Sequence, residues 1–389
     1  MTALLLILGI ILFIGLVVVH ELGHFWAARR NGVEVEEFGI GFPPKAWGKK
    51  VGKGDKKFIF SLNWLPLGGF VRLKGEHDSD TEPGTFGAAT TWAKTKIMAA
   101  GVGMNLLAAF VLLTILAWVG MPQLIDNQFT VASDTHVTRS EVLVGYIVKD
   151  SPASKAGLQT SDRLVSIGLP GQAATKVATA KDLPRITQQY AGQKVDVNYL
   201  RHGKAEQRQV QLLSRAEVEA SNHEKAYLGV APTSYVMQQS TWSAPVVAAG
   251  VMKQFTVLTF QGLGKALAGV GHIIAGVFTG NAAQRQEGQT TAASQVSGPV
   301  GIFVILKDGT LLGVQFVLMV IAVISLSLAI MNVLPIPALD GGKVFVTYIS
   351  RLFKKRVSEK AEDWIYGSSF LFLLGLMALI TVVDVKRFF

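Results

Sequence analysis

His20-Glu21-Leu22-Gly23-His24 is the stretch of the chain with the clearest chemistry. On an α-helix, positions i and i+4 differ by about 40° around the axis and about 6 Å along it, so both imidazoles face one way. That spacing suits two ligands of a tetrahedral zinc ion, with Glu21 able to reach a water bound beside them. A catalytic zinc keeps three protein ligands and one position for water. The third cannot be cysteine, because the chain has none. The same absence excludes a disulfide scaffold, a thiol nucleophile and iron–sulfur ligation. His77, His136, His202, His223 and His272 fall in loops or in a region read as external, and are expected to be surface or satisfied side chains. The candidate is Asp340, in Asn332-Val333-Leu334-Pro335-Ile336-Pro337-Ala338-Leu339-Asp340-Gly341-Gly342. Two prolines break a helix there, and broken backbone at membrane depth is tolerated only where it is buried in protein or lines a cavity.

The elements that must carry these residues are apolar. The chain has 389 residues, half of them hydrophobic, only 16% charged, with a mean hydropathy of +0.38. Soluble domains carry nearer a quarter charged residues, which disfavours a disordered or ordinary cytosolic protein. The net charge of +10 is not a nucleic-acid signature. Residues 29–96 hold 12 Lys/Arg against 8 Asp/Glu, and residues 122–243 hold 13 against 11, so neither is a basic block. The excess reads as membrane topology. Residues 2–19 are uncharged and long enough to span a bilayer. Without a basic start or a small-residue cleavage site they read as a retained helix, not a signal peptide. Further runs cover Ile97–Met121, Gly313–Pro337 and Gly367–Val383.

Arg29 and Arg30 follow the first run, and Arg351, Lys354, Lys355 and Arg356 follow the third, which puts both ends in the cytoplasm. Lys386 and Arg387 run mildly against that rule. Ala244–Gly280 is apolar on average but carries Lys253, Gln254, Gln261, Lys265 and His272, and is expected to lie at the outer interface as an amphipathic helix. Depth agrees with a joint site: His20 is 9 residues before Arg29 and Asp340 is 11 before Arg351. A full crossing by Ala244–Gly280 would reverse the third span and separate the two.

With H-E-x-x-H in the first span and N-x-x-P-x-P-x-L-D-G-G in the third, the chain resembles the bacterial site-2 proteases of the RseP/RasP/MmpA type with a single PDZ domain. The resemblance covers nearly the whole chain. It implies zinc-dependent intramembrane proteolysis, with His20, His24 and Asp340 as ligands, Glu21 as catalytic base and Asn332 near the substrate backbone. Val33–Lys74, with Gly39-Ile40-Gly41-Phe42 and Pro66-Leu67-Gly68-Gly69-Phe70, is similar to the family's membrane-associated β-hairpin. The alternation of Phe58, Phe60 and Leu62 independently suits strands. Gly101-x-x-x-Asn105 falls where the family has G-P-x-x-N, and carries Asn105 over as a substrate-binding residue, without the proline. Ser297-Gly298-Pro299-Val300-Gly301 looks like the segment leading into the third span, after an Asn281–Gln295 tract expected to be a flexible insertion. Between residues 128 and 231, strands are expected at Val142–Val148, Arg163–Ile167, Val195–Leu200 and Gln207–Leu212, with a helix near Ala180–Tyr190. Ser151-Pro152-Ala153-Ser154-Lys155-Ala156-Gly157-Leu158 and Asp162-Arg163-Leu164 there resemble a bacterial PDZ domain, with Ser161 where glycine is usual.

The expected fold is a polytopic α-helical membrane protein with four transmembrane helices, a cytoplasmic-side membrane-associated β-hairpin and one α+β PDZ domain. Its parts are residues 1–30, the first span with HExxH; 31–96, the hairpin region and loop; 97–121, the second span; 122–243, an extracytoplasmic PDZ domain; 244–311, the interfacial helix and linker; 312–350, the third span; and 351–389, the basic loop and fourth span. The expected function is zinc metalloendopeptidase action on the spans of single-span membrane proteins in regulated intramembrane proteolysis. An anti-sigma factor or signal-peptide remnant, already cut on its outer side, is the expected substrate. The expected cofactor is Zn2+. The partners are those substrates, the lipid bilayer and a peptide or periplasmic domain at the PDZ domain, with no nucleic acid. The place is the bacterial inner membrane, with the active site near the cytoplasmic side. Two other readings stay open: a PDZ-bearing membrane scaffold with no need for Glu21, and a membrane-anchored zinc protease acting on soluble substrates.

Overall fold

The computed structural model describes residues 2–54, 57–221, 224–295, 297–354 and 357–388. His223, Lys355 and Arg356 lie outside the described residues. The chain forms two compact units, Met1–Thr114 with Ala248–Thr310 and Val317–Phe389, and Ile115–Val247 with Leu311–Phe316.

In the first unit, α1 (Thr2–Arg30) is apolar all round in its first half, and Leu4, Ile7 and Ile11 are exposed, as expected of a helix solvated by lipid. Its second half is packed. β1 (Val35–Val51) and β2 (Phe58–Leu73) form an antiparallel hairpin in which each strand folds back on itself. Residues 35–40 pair on one side with 69–73 and on the other with 59–62, and 59–62 pair in turn with 47–51, so two strands make four rows. Gly41 makes the bend with φ +81°, where a Cβ would stand 2.7 Å from the Leu65 carbonyl oxygen. Asn63 Nδ2 ties the bend by donating to the Ile40 and Gly41 carbonyls at 3.3 and 3.1 Å. The root of the hairpin is a core of Phe25, Ala28, Val35, Phe38, Leu73, Phe86 and Ile97, fixing it to α1 and to α2 (Thr91–Val119).

The second unit is a sheet. β3 (Met121–Pro122), β4 (His136–Ile147), the turn helix α3 (Pro152–Lys155), β5 (Arg163–Gly168), β6 (Thr175–Lys176), α4 (Asp182–Gln189), β7 (Lys194–Arg201), β8 (Lys204–Gln211), α5 (Arg215–Ala220) and β9 (Val230–Gln239) follow in the chain. The strands order as β3-β9-β4-β5-β7-β8, with β6 beside β5. Val144, Leu164, Ile167, Ile186, Val195, Val197 and Tyr199 fill the core. Each expected strand and the expected helix has an observed element over it. Ser161 takes φ +70°, so the turn keeps the left-handed conformation that glycine usually supplies. Next to it, buried Asp162 accepts two hydrogen bonds from Arg201, at 2.8 and 2.6 Å.

The rest of the chain is helical: α6 (Ala244–Phe278), α7 (Ala282–Gln295), α8 (Pro299–Gly309), α9 (Val314–Val333), α10 (Asp340–Leu352) and α11 (Glu359–Phe388), with a short 3₁₀ turn at Thr310–Leu312. One expectation changes here. The Asn281–Gln295 tract is not a flexible insertion: it is helix α7, laid against α6 where Gly269, Gly288 and Ala292 let the backbones approach. The 312–350 segment breaks where its prolines were expected to break it, into two helices separated by residues 334–339, because Pro335 and Pro337 cannot continue α9. Ser297-Gly298-Pro299-Val300-Gly301 is the N-terminus of α8, and its Gly298 and Gly301 N–H groups both donate to Asp384 of α11 at 2.8 Å. Asp384 is 1% exposed, so a carboxylate on one apolar helix caps another.

Among the described residues, five helices are long and apolar enough to cross a membrane: α1, α2, α6, α9 and α11. Of these α6 is the least apolar, with a mean hydropathy of 1.2 over its best window against 2.2 to 3.1 for the others. α1 and α9 run in the same direction. Gly9 lies against Val317 at the start of α9, Leu16 clusters with Val317 and Ile321, and His20 reaches Asp340 beyond its end.

Candidate metal centre

α1 carries His20 and His24 one turn apart, with their Nε2 atoms 3.1 Å from each other. Asp340 opens α10, and its Oδ2 lies 3.1 Å from His20 Nε2 and 3.3 Å from His24 Nε2. A tetrahedral zinc ligated at about 2.0 Å requires ligand atoms about 3.3 Å apart, which this triangle matches. All three residues are largely buried: His20 is 9% and His24 7% exposed. Asp340 Oδ2 is buried without a hydrogen-bond donor, an arrangement that suits a cation.

The far sides of the imidazoles fit the same role. His24 Nδ1 lies 2.8 Å from the Ile97 carbonyl oxygen, which can only accept, so the ring proton sits on Nδ1 and Nε2 is left with its lone pair. His20 Nδ1 faces the Asn105 amide at 3.2 Å, while Asn105 Oδ1 is buried with no partner. Turning that amide by half a rotation places Oδ1 on a His20 Nδ1–H and satisfies both atoms. The residues present fit a zinc ion.

Local sequence explains how the groups converge. A Cβ on Gly101 would collide with His24 Nε2 and stand 2.7 Å from His20 Cε1, so α2 approaches α1 only because that position is glycine. Gly23 does the same from the other side, where a Cβ would be 2.7 Å from the Ala100 carbonyl carbon. A Cβ on Gly341 would strike the Val333 carbonyl, and one on Gly342 the Ile336 carbonyl. The glycine pair therefore lets α10 start tight against the broken end of α9 and turn Asp340 inward. Ser369 of α11 steadies that break by accepting the Ala338 N–H at 3.2 Å.

Glu21 points into a cleft of about 190 Å³ that His20, His24 and Asp340 share with Val71, Glu76 and Lys343. Four of the six expected site residues are thus together. Asn105 is 1% exposed, packs behind His20 and is not among the cleft-lining side chains. Asn332 lies in the last turn of α9, half-buried, and is not among the cleft-lining side chains either. Sequence reasoning quoted Gly101 only as part of the Asn105 motif and gave it no role, and it missed the Ile97 carbonyl, Glu76 and Lys343. Gly101 carried a signal, sitting one turn before Asn105. Lys343 did too, three positions past Asp340 and so on the same helix face.

The sequence profile of peptidase family M50 matches residues 8–376. A protein of Clostridium acetobutylicum is 30% identical over 385 residues, covering 98% of this chain and 97% of its own. Proteins of Clostridium perfringens (28%, 98% of each chain) and Mesorhizobium japonicum (26%, 94% of each chain) align comparably. All three carry provisional names as zinc metalloproteases. With its metal-binding geometry, its helices long and apolar enough to cross a membrane and a profile match over nearly its full length, the chain belongs to peptidase family M50, the site-2 protease family.

Proposed function

We propose that this protein is a zinc metalloendopeptidase that cuts the membrane-spanning segments of single-span membrane proteins. The observation that carries the reading is the meeting of His20 and His24 with Asp340 beside Glu21, the histidines and Glu21 on α1, a helix apolar enough to lie in a bilayer, and Asp340 just beyond the broken end of another, α9. His20, His24 and Asp340 hold the ion, with Asn105 and the Ile97 carbonyl orienting the imidazoles. Bound there, zinc supplies Lewis-acid polarisation of the scissile carbonyl and lowers the pKa of water. Glu21 takes the proton from the attacking water and passes it to the leaving amine. A helical substrate must unwind first, and the 69–73 row of β2, at the cleft, offers an edge for the unwound chain.

Four spans, α1, α2, α9 and α11, serve this reading best. Parallel α1 and α9 need an even number of crossings between α2 and α9. A crossing by α6 would need a return, and neither the 14-residue α7 nor the 11-residue α8 is long enough to make one. Arg29, Arg30 and Arg351 then mark the cytoplasmic side of a bacterial inner membrane, with the hairpin and active site near it. The sheet unit lies outside as a PDZ domain taking peptides or periplasmic domains at a strand edge. Regulated intramembrane proteolysis of an anti-sigma factor or signal-peptide remnant after an outer cut fits this layout.

The test is cleavage of a labelled single-span protein from the same cell, pre-trimmed on its outer side. Glu21→Gln should retain one zinc per chain and lose about 10²- to 10⁴-fold in rate, and a chelator should stop the wild type. Cleavage that survives Glu21→Gln, or that falls only on soluble substrates, would overturn the reading.

A further inference from the structure

The 69–73 row of β2 pairs with 35–40 on one side, and among the described residues no strand pairs with the other. Alternate N–H groups of a strand point to opposite edges. The Lys74 N–H reaches inward to the Glu34 carbonyl at 3.0 Å, so those of Leu73 and Val71 point outward, toward the cleft. The first is taken by a carboxylate: Glu76 Oε1 accepts from the Leu73 N–H at 3.1 Å, while Val71 lines the cleft beside Glu21. Glu76 is itself held by Lys343, whose Nζ is 3.3 Å from Oε2. A peptide adding to this edge needs those same two donors.

We propose that Glu76 is an internal competitor for the substrate's place on β2, held there by Lys343 until an incoming strand displaces it. The inference rests on the protease reading of the cleft. An extended substrate segment that supplies a carbonyl to the Leu73 N–H releases Glu76 to Lys343 alone. Glu76 makes no contact with the reacting atoms. It acts on binding, so its removal changes KM and leaves kcat in place.

The experiment uses the full-length, zinc-loaded protein with the labelled single-span substrate. Glu76→Ala should lower KM about three- to tenfold, the worth of one competing hydrogen bond, with kcat within about twofold. Glu76→Gln should fall between. A merely structural role predicts a raised KM or a lowered kcat, and either, or an unchanged KM, would overturn the proposal. Hydrogen exchange at the Leu73 amide gives a readout that needs no turnover: faster in Glu76→Ala, and re-protected by a synthetic span peptide at lower concentration than in wild type. Exchange unaffected by the substitution, or re-protection at the same or higher concentration, sinks the competition. Val71→Pro separates the two levels. It removes the outward donor, so persistent turnover there would mean that strand addition itself is wrong.

Discussion

The Asn105 amide lies 3.2 Å from His20 Nδ1 and is shut away from the cleft, supporting the imidazole from behind. Ser325 Oγ in turn donates to the Asn105 backbone carbonyl at 2.9 Å, fixing α2 to α9 at the same level. Outer partners of metal-bound histidines set ring orientation and basicity. Asn105→Leu should therefore weaken zinc binding about 10- to 100-fold, read by competition against a chelator of known affinity. Unchanged zinc affinity with a raised KM would return Asn105 to the substrate.

Gly101→Ala puts a methyl group onto the two imidazoles, whereas a Cβ on Gly103, two positions on, meets nothing within 4 Å. The first substitution should cost about 1–3 kcal/mol in packing and drop bound zinc well below one per chain. Gly103→Ala should be silent. Metal analysis of the two purified variants side by side makes the comparison, and equal zinc contents would contradict it.

Asp78 is a buried hub, 2.6 Å from Lys94 Nζ and 2.7 Å from Arg351 Nη2, with its own N–H donating to Glu362 at 2.9 Å. Lys94 is only 2% exposed. Asp78→Ala leaves that ammonium buried and unpaired, a change that costs about 3–5 kcal/mol. The thermal midpoint in detergent should fall sharply, and combining Asp78→Leu with Lys94→Met should recover part of the loss. A midpoint unchanged in Asp78→Ala would show the cluster to be solvated.

His77 Nε2 sits 3.0 Å from Asp363 Oδ1, just past the first turn of α11. That hydrogen bond raises the imidazole pKa above its ordinary 6.5, partial burial opposes it, and the charges of Asp363, Glu359 and Glu362 add to the rise. A raised histidine stabilises fully below its unfolded pKa and stops doing so as pH climbs through the folded one. As pH climbs from about 6 through the raised pKa, the wild type should lose thermal stability that Asp363→Asn does not lose. A matching slope in the variant would remove His77 as the cause.

Much of the centre was legible in order and period alone. A five-residue motif on an uncharged helix aligns His20, Glu21 and His24 whatever surrounds them, because helical spacing is local. Asp340 was legible because prolines and a glycine pair stop an apolar helix at matching depth. The parallel course of α1 and α9 then follows from the requirement that these groups meet. What the tertiary structure alone decided concerns partners distant in the chain. Asn105 could face substrate or metal from its place on α2, and only the packing of α2 on α1 turns it to His20. The two-row hairpin becomes four rows because β1 and β2 each bend and pair again, which composition does not encode. The Asn281–Gln295 tract is polar enough to read as loose, yet it is helical where glycines on α6 admit its backbone. The carboxylate on the outward N–H group of Leu73 belongs to the same class. Residue type says that Glu76 can accept a hydrogen bond, and only the folded chain says from which donor.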